Sequence, residues 1–279
     1  MLKLLKSGFF TTVQDKGRFG FRDIGVPVAG VMDNLALEKA NGLLENNVDA
    51  AVLEITMTGP TIVFNEPTYI VLSGAKMSAT LNSEPILNYK VYKIKSGDKL
   101  SYGKLEKGIR CYLAVKDGFK TKKVLNSRSF SNAITKVNYL KDSSEVIYEP
   151  CTVFKPKISE LKVNSYFDEV RLEVAKGPEY DMLQDKQLEN IFGKDFTVSK
   201  ENNRMAYQLN EKIQGHDTSM LTSATLPGTI QFTPAGKLII LMKDGQTTGG
   251  YPRILQLNDK AISILAQKRA GDKISFKLL

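Results

Sequence analysis

Two glycine-containing segments of this sequence bring together polar side chains that could bind an anion. The first runs from Thr11 to Arg18 and continues to Arg22, and it contains Gln14 and Asp15. Arginine holds a carboxylate or a phosphate through paired N–H donors, which lysine does less well. The segment therefore predicts either an anion site at Arg18 and Arg22 or a loop that Asp15 and Arg18 fix by pairing with each other.

The second segment covers residues 244–253 and follows the apolar run Lys237–Met242. Two adjacent glycines let a ligand approach the backbone, while two threonines, a glutamine, a tyrosine and an arginine offer hydrogen bonds, a flat ring and a cation. A long polar hairpin loop is the alternative, but so many donors beside the glycines favour a binding site. The candidates are Gln246, Thr247, Thr248, Gly249, Gly250, Tyr251 and Arg253.

Four further charged residues could join these segments, namely Asp33, Glu54, Arg128 and Arg204. Glu54 lies in an apolar stretch and, once buried, needs a partner such as arginine. It is predicted to form a core ion pair or, as the second choice, to be a positioned acid–base group.

Other kinds of chemistry lack their sequence signatures. There is no Walker loop, GxSxG elbow or GxGxxG fingerprint, and the single histidine, His216, has a turn-like context that predicts a surface imidazole. Cys111 and Cys151 have no CxxC spacing, so both are expected to be reduced thiols. No metal site is expected.

The composition is that of an ordinary folded protein. The 279 residues suffice for one large or two ordinary domains, and the chain has 42% hydrophobic and 25% charged residues. The net charge of +9 comes from basic residues spread along the chain, so nucleic-acid binding is not expected. No apolar run approaches the ~20 residues of a membrane span, and the start has no signal-peptide pattern, so a cytoplasmic location without membrane association is expected.

Strand-forming runs dominate the sequence. Short stretches rich in β-branched and aromatic residues alternate with turn residues, as in barrels and sandwiches. The clearest strands are Thr61–Phe64, Tyr69–Leu72, Val91–Ile94, Tyr112–Val115 and Lys237–Met242. Two helices are also predicted, at Asp33–Leu44 with Asp33 as N-cap and at Tyr180–Phe192.

A short internal repeat suggests two related β units, with chance matching of β-type strings as the alternative. The matched strings are Gly97–Tyr102 with Gly271–Phe276, Thr61–Phe64 with Thr229–Phe232, and Ile70–Leu72 with Ile239–Leu241. A lysine-rich, proline-containing stretch predicts the boundary near residue 155. The predicted domains are residues 1–155 and 156–279, allowing for strand exchange between the halves.

Eight strings, in order along the chain, match those of a known family. They are TTVQDKGRFGFRDIGVPVAGVMD, ALEKANGLLENN, AVLEITMTGPTIVF, SGA, SRS, NRM, PGTIQF and QTTGGYPR. The sequence thereby resembles the family of the 5-oxoprolinase C-type subunits, also called the biotin-dependent carboxyltransferase family. The family includes the antagonist of a histidine-kinase inhibitor and is similar to the carboxyltransferase region of urea carboxylase. The likeness covers almost the whole chain, and the combination of TVQDxGRxG with QTTGGYPR is highly specific.

The resemblance implies a mainly β fold of two cyclophilin-like β-barrel domains with a few short helices. It implies two partners in the 5-oxoprolinase complex: a B-type subunit, which resembles the kinase inhibitor, and an A-type subunit, which resembles the lactam-utilisation proteins. Together such subunits open 5-oxoproline to L-glutamate with ATP hydrolysis, so ATP is expected in the complex and little activity in the chain alone. The absence of a carrier motif such as a Met-Lys-Met centre argues against biotin as a cofactor.

Carried over position by position, the resemblance implies a site in which arginines of the two segments stabilise developing negative charge. We assign catalysis to Arg18, Asp33, Glu54 and Arg253. We assign substrate binding to Gln14, Asp15, Arg128, Arg204, Gln246, Thr247, Thr248, Gly249, Gly250 and Tyr251. Two other functions stay open: a carboxyltransferase that passes CO₂ from carboxybiotin to an amide or urea nitrogen, and a regulatory protein that sequesters a kinase inhibitor.

Overall fold

The computed structural model describes residues 1–132 and 134–279, which divide into two compact units. The first unit comprises Met1–Arg18 and Ala29–Ser165, and the second comprises Phe19–Val28 and Tyr166–Leu279. The division after Ser165 lies later than the predicted boundary near residue 155. Within the described ranges, no helix is long and apolar enough to cross a membrane.

Strands far outnumber helices in both units, which confirms the mainly β fold class. The first unit contains one helix, α1 (Asn34–Leu43), and eleven strands within its described residues. The strands are β1 (Leu2–Lys6), β2 (Phe10–Gln14), β3 (Val52–Thr56), β4 (Thr61–Phe64), β5 (Thr68–Lys76), β6 (Thr80–Leu81), β7 (Glu84–Pro85), β8 (Tyr92–Ile94), β9 (Lys99–Ser101), β10 (Lys107–Val115) and β11 (Glu145–Val146).

The second unit contains two α-helices and nine strands. The helices are α2 (Asp185–Phe192) and α3 (Asp259–Leu265), and a single 3₁₀ turn, Tyr180–Met182, precedes α2. The strands are β12 (Arg171–Lys176), β13 (Phe196–Asn202), β14 (Ala206–Leu209), β15 (Ser223–Ala224), β16 (Thr229–Phe232), β17 (Leu238–Leu241), β18 (Thr248–Gly249), β19 (Arg253–Leu257) and β20 (Lys273–Leu278).

Two sheets of the first unit share its main hydrophobic core. Their strand orders are β11-β1-β4-β9-β6-β7 and β2-β3-β10-β5-β8. Leu4 and Phe64 from the former are fully buried in one cluster with Leu53 and Leu113 from the latter. Strands whose alternate side chains are apolar can bury one face in this way.

Helix α1 covers the other face of the second of these sheets. Its buried residues Leu37 and Ala40 belong to a separate apolar cluster with Val71 and Tyr112. Asp33, which precedes the helix, accepts a hydrogen bond from the Ala36 amide through its side chain, so the predicted N-cap is confirmed.

Seven strands of the second unit close into a barrel with the order β12-β19-β16-β17-β14-β13-β20. Strands β12 and β20 pair in parallel and complete the ring. Val174, Ile230 and Ile240 are fully buried. A register shift between Ile230 and Gln231 interrupts the pairing of β16 with β19, and this irregularity lies beside the polar segment 246–253.

The two Gly-Asp turns of the internal repeat have the same local geometry. Gly97 and Gly271 have φ angles of 88° and 93°, which glycine adopts without steric strain. In each turn the aspartate side chain accepts a hydrogen bond of 2.7 Å from the backbone amide three residues earlier. The strands of the two halves differ in their neighbours, since β4 pairs with β1 and β9 whereas β16 pairs with β17 and β19.

The second predicted helix, Tyr180–Phe192, was wrong in its first half. Leu183 and Gln184 are extended, with ψ angles of 133° and 156°, and they separate the 3₁₀ turn from α2. Gln184 forms a capping box with Gln187, which starts the helix at this point. Helix α3 was not predicted, although Asn258 caps it through its side chain.

The predicted strands all occur, and all but Thr61–Phe64 have shifted ends. Tyr69–Leu72 and Tyr112–Val115 lie within the longer strands β5 and β10, and Thr61–Phe64 is β4. Val91 is outside β8 because its amide donates to the carbonyl of Ser159 rather than to a neighbouring strand.

Candidate functional site

Asp15 follows strand β2, and its carboxylate fixes a neighbouring loop of the first unit. Its Oδ1 atom accepts hydrogen bonds of 2.6 Å from the hydroxyls of Ser127 and Ser129. Oδ1 also accepts from the Gly17 amide at 2.9 Å, and Oδ2 accepts from the Arg128 amide at 2.6 Å. One buried carboxylate thus takes up four donors, three of them from the Ser127–Ser129 loop.

Arg18 holds the same loop from another side. Its guanidinium is fully buried, with Nε donating to the Val124 carbonyl at 3.1 Å and Nη2 donating to the Ser129 carbonyl. A group so enclosed contacts the backbone and not solvent. Asp15 and Arg18 thus both hold this loop, Asp15 through its hydroxyls and an amide and Arg18 through its carbonyls.

Arg128 is the more accessible cation of this loop. Its side chain is half-buried, and Nη1 donates to the carbonyl of Thr121. The loop begins with a tight hairpin in which Leu125 and Asn126 have φ angles of 50° and 63°. A leucine in the left-handed region is strained, so the surrounding contacts hold this conformation in place.

Gln14 lies next to this loop on strand β2 and is fully buried. Its Nε2 donates to Thr12 Oγ1 and to the Phe130 carbonyl, both at 3.1 Å. Its Oε1 is buried without a partner among the described residues. The two hydrogen bonds of Nε2 therefore orient the carboxamide, while its oxygen accepts no hydrogen bond from the described residues.

Glu54 forms the ion pair that its apolar sequence context predicts. Its Oε1 lies 3.9 Å from Arg110 Nε, and both side chains are buried. Its Oε2 accepts from the Met32 amide at 2.8 Å and from the Tyr112 hydroxyl at 2.9 Å. Burial and the Glu54 charge raise the pKa of Tyr112 well above its ordinary value, so the phenol stays protonated and donates to the carboxylate.

Asp33 completes this network at the start of α1. Its amide donates to the Tyr112 hydroxyl at 3.0 Å, while its Oδ1 accepts from the Ala36 amide at 3.0 Å. The side chain is fully buried. Glu54, Tyr112 and Asp33 together fix the turn that leads into the helix.

In the second unit, the Gln-Thr-Thr-Gly-Gly segment, residues 246–250, is held by hydrogen bonds from the short strand β15 and the residue after it. Strand β15 pairs with β18, matching Ala224 with Thr248. Thr225 then donates from its amide to the Thr247 carbonyl at 2.9 Å and from its hydroxyl to the Gln246 carbonyl at 2.5 Å. Within residues 244–252 only Thr248 and Gly249 form a strand, and the rest is a loop that β15 and Thr225 hold in place.

Two glutamine carboxamides meet under this segment. Gln231, on β16, is 1% exposed, and its Oε1 accepts from Gln246 Nε2 at 3.4 Å. The Nε2 atom of Gln231 is buried without a partner among the described residues. A β-carbon on Gly249 would overlap this nitrogen and lie 2.9 Å from Gln246 Nε2, so only glycine leaves the carboxamides room.

The other two arginines of the predicted site are paired with carboxylates. Arg253 makes a bidentate pair with Glu179, at 2.9 Å from Nε and 2.6 Å from Nη2. Arg204 makes another with Asp244, at 2.8 and 2.9 Å. Such pairs fix loops firmly and use up the donors that a substrate anion would need.

Arg22 is the half-buried arginine of the second unit beside the Gln-Thr-Thr-Gly-Gly segment. Its Nη2 donates to the carbonyl of Thr225, the residue that holds Gln246 and Thr247. Burial lowers its pKa from 12.5, yet the guanidinium remains charged at neutral pH. It therefore places a positive charge at the edge of this segment.

Several residues of these networks escaped prediction from the sequence. They are Tyr112, Arg110, Glu179, Thr225, Gln231 and Asp244. Each is far along the chain from the residue it contacts, so spacing gives no signal. Only for Glu54 did the sequence predict that a partner must exist, because a buried carboxylate requires one, and this partner is Arg110.

The cysteines and the histidine take no part in these sites. Burial raises the pKa of Cys111 to about 12, so its thiol is protonated and not a nucleophile at neutral pH. His216 is half-buried, with Nε2 3.0 Å from the Phe232 carbonyl. Across the residues that the structure describes, no group of three His, Cys, Asp or Glu could hold a metal ion.

We expect Gly249→Ala to displace the Gln231 and Gln246 carboxamides and to weaken ligand binding at this segment. The matched control is Gly250→Ala, because a β-carbon there meets nothing within 4 Å and the residue has no left-handed φ. Thermal unfolding of both variants measures the difference in packing, and ligand titration is carried out on Gly249→Ala against the parent. Equal behaviour of the two variants would contradict the close packing at Gly249.

The ion pair between Arg253 and Glu179 is expected to make the stability of the fold depend on pH in the acid range. Hydrogen bonds from Arg253 hold the pKa of Glu179 below its ordinary 4.5. Since the folded-state pKa is lowered, this stability is present above about pH 4.5 and is lost as the pH falls through the folded value. We expect Glu179→Gln to have a lower Tm at pH 7 and a shallower loss of Tm between pH 5 and pH 3 than the parent, whereas exposed Glu189→Gln leaves the profile unchanged.

The chain is mainly β, with a closed seven-stranded barrel in its second unit. Its similarity to known proteins places it in the class of carboxyltransferase domains. The family described as the carboxyltransferase domain, subdomain A and B, matches residues 24–278. The chain therefore belongs to this family, which confirms the resemblance found in the sequence.

Named relatives refine this assignment. The chain is 32% identical to the C-type subunit of 5-oxoprolinase from Escherichia coli over 285 residues, covering 99% of this chain and 90% of that protein. It is 28% identical to urea amidolyase of Saccharomyces cerevisiae, of which it covers 16%. The crystal structure of Kluyveromyces lactis urea carboxylase superposes with a TM-score of 0.90 at 27% identity, with all of this chain and 27% of that one covered.

Proposed function

We propose that this chain is the C-type subunit of an ATP-dependent 5-oxoprolinase and acts in the cytoplasm with partners of the A and B types. The observation that carries the proposal is the match to the E. coli 5-oxoprolinase protein over 90% of that protein's length. By contrast, the chain matches only a small part of the urea amidolyases. Correspondence with nearly the whole of one oxoprolinase subunit favours the oxoprolinase arrangement.

The proposed reaction opens the lactam ring of 5-oxoproline. An amide is a poor electrophile, so the γ-phosphoryl group of ATP is transferred to the lactam oxygen in the complex. Water then adds to the activated carbon, and the bond from this carbon to the ring nitrogen breaks as the nitrogen takes up a proton, which leaves γ-glutamyl phosphate. A second water hydrolyses this acyl phosphate to the carboxylate and phosphate. The products are L-glutamate, ADP and phosphate.

The contacts of the arginines suggest other roles than those expected from the sequence. Arg18 donates to backbone carbonyls, and Arg253 and Arg204 are paired with carboxylates. We therefore propose that these three hold loops in place. Arg22, beside the Gln-Thr-Thr-Gly-Gly segment, is proposed to receive the carboxylate of 5-oxoproline, since its guanidinium is half-exposed and donates to one carbonyl.

The remaining candidates divide in the same way. Asp15, Asp33 and Glu54 are buried and hydrogen-bonded, so we propose that they position the Ser127–Ser129 loop and the start of α1. Arg128 and Gln14 are the polar groups of the first unit proposed for substrate contact. In the second unit, ligand contact is proposed for Gln246, Thr247, Thr248, Gly249, Gly250 and Tyr251.

A carboxyltransferase is the second candidate function, favoured by the family match itself. In that case the same segment would orient the ureido ring of a carboxybiotin carried by another protein. Transfer of ¹⁴C from carboxybiotin to urea or an amide, catalysed by this chain, would select this function. A purely regulatory protein would instead bind a B-type partner with both activities absent.

The proposal is tested by ATP hydrolysis that depends on 5-oxoproline. The chain with its A-type and B-type partners is expected to release phosphate when 5-oxoproline is added, and Arg22→Met is expected to raise the KM for 5-oxoproline at least tenfold. Arg269→Met, which changes an exposed arginine after α3, is the control of matched chemistry. Phosphate release that ignores 5-oxoproline would refute the proposal.

A further inference from the structure

Gln231 is a buried polar group with an unmet hydrogen-bonding need beside an accessible segment. It is 1% exposed, and its Nε2 atom is without a partner among the described residues. Leaving such a donor unpaired in a protein interior is unfavourable, because it has lost its hydrogen bonds to water. A leucine or methionine at position 231 would remove this unpaired donor. The glutamine is therefore expected to serve a purpose other than stability.

The unmet need does not depend on how the carboxamide is oriented. Rotating the Gln231 group by half a turn exchanges its nitrogen and oxygen and leaves the oxygen without a partner instead. One hydrogen bond, the 3.4 Å contact with Gln246, engages this group. A buried polar atom therefore stays available in either orientation.

The segment above Gln231 allows access. Gln246, Thr248, Gly250 and Tyr251 are exposed, while Gly249 is buried and lies directly against Gln231 Nε2. Gln246 engages Gln231 through a hydrogen bond that is longer than usual. An exposed glutamine side chain swings aside at little cost, which uncovers the group behind it.

We propose that Gln231 recognises a cis-amide of the ligand, that is, a lactam or a cyclic urea. In such a ring the N–H and C=O groups point to the same side. The ligand carbonyl accepts from Gln231 Nε2, and the ligand N–H donates to Gln231 Oε1 in place of Gln246, so that two hydrogen bonds form one cyclic pair. A trans amide, as in a peptide, presents these groups on opposite sides and cannot make the pair.

This inference rests on the proposed function for its choice of lactam, but its chemistry is shared by two ligands. A lactam occurs in 5-oxoproline and a cyclic urea in biotin. Preference of the full chain for 5-oxoproline over 2-imidazolidone identifies the lactam as the source, and the reverse preference identifies the ureido group. Each of these preferences supports cis-amide recognition.

The decisive variant is Gln231→Met, which keeps the volume and removes both polar atoms. We expect it to fold with an unchanged or higher Tm, because an unpaired donor is removed, and to bind 5-oxoproline or 2-imidazolidone about ten- to a hundredfold more weakly. Gln208→Met is the matched control, since Gln208 is half-buried on β14 of the same barrel. N-methylation of the lactam, which removes the N–H donor, is expected to weaken binding to the parent but not to Gln231→Met.

The outcomes separate this inference from the function proposed above. Gln231-dependent binding of 2-imidazolidone without hydrolysis of 5-oxoproline by the complex upholds cis-amide recognition and refutes the oxoprolinase. Hydrolysis with the same KM for the parent and Gln231→Met upholds the oxoprolinase and overturns the role of Gln231. A folded Gln231→Met chain that binds both ligands as the parent does also overturns it, as does a parent chain that binds neither ligand, alone or in the complex.

Discussion

Replacing Glu54 by glutamine is expected to lower the free energy of unfolding of the first unit by about 3–5 kcal/mol. The substitution removes the negative charge 3.9 Å from the buried Arg110 guanidinium and turns an acceptor into a donor beside it. In a unit of this size the loss corresponds to a fall in Tm of roughly 10 °C. Thermal and urea unfolding followed by circular dichroism measure it.

The exposed pair of Glu160 with Lys90, at 3.3 Å, supplies the control. Glu160→Gln is expected to change stability by at most about 1 kcal/mol, because solvent screens that pair. The double variant Glu54→Gln/Arg110→Met should regain part of the loss, since no buried charge is left uncompensated. Additive effects of the two single changes would show that Glu54 and Arg110 do not act as a pair.

Asp15→Asn is expected to destabilise the first unit by about 3 kcal/mol and to free the Ser127–Ser129 loop. Asparagine has the same shape, but its amide nitrogen replaces one carboxylate oxygen and cannot accept, so either the Arg128 amide or the two serine hydroxyls lose their acceptor. Hydrogen exchange of the Arg128 amide measures the loop directly. We expect exchange there to become much faster than in the core of β10.

Asp117→Asn is the control for this change. Asp117 is exposed, has a φ of 63° that asparagine also tolerates, and pairs with Lys116 at 2.9 Å on the surface. It should leave both stability and exchange of the Arg128 amide unaltered. Protection of that amide in the Asp15→Asn chain equal to the parent would mean that the carboxylate does not hold the loop.

The elements that sequence reasoning predicted well are those whose signals are local. Strand β4 coincides with the predicted Thr61–Phe64, where β-branched and aromatic residues follow a proline. The Asp33 cap is likewise local, because its side chain bonds to an amide three residues later. Helix α3 carries a comparable signal, with Asn258 before Ala261 and Ile262, and would have been predicted by the same rule.

The predicted helix at Tyr180–Phe192 shows where local patterns mislead. Apolar residues at mixed helical spacing suggested one helix, whereas buried Leu183 is extended between the 3₁₀ turn and α2. The capping box of Gln184 and Gln187 was present in the sequence but is less specific than one with serine or threonine. The extended backbone at Leu183 and Gln184 thus breaks the predicted helix where its side-chain spacing gave no signal.

The residue types of the candidate site suggest a binding chemistry, but the contacts of each residue could not be predicted from the sequence. Residue types identified the Gln-Thr-Thr-Gly-Gly segment, yet whether Arg253 is free or paired depends on Glu179, 74 positions away. In the same way, the importance of Gln231 follows from a missing partner, which only the three-dimensional contacts reveal. Pairing with a distant carboxylate thus distinguishes Arg204 and Arg253 from Arg22 and Arg128, which donate to backbone carbonyls.

The central claim is that this chain is an obligatory component of a 5-oxoproline-opening enzyme. Its most direct test is ATP-dependent release of glutamate from 5-oxoproline by the purified chain with its A-type and B-type partners, omitting each protein in turn. We predict release by the complete set and none when this chain is left out. A complete set that is inert while this chain binds its B-type partner tightly, or release that persists without this chain, would contradict the claim.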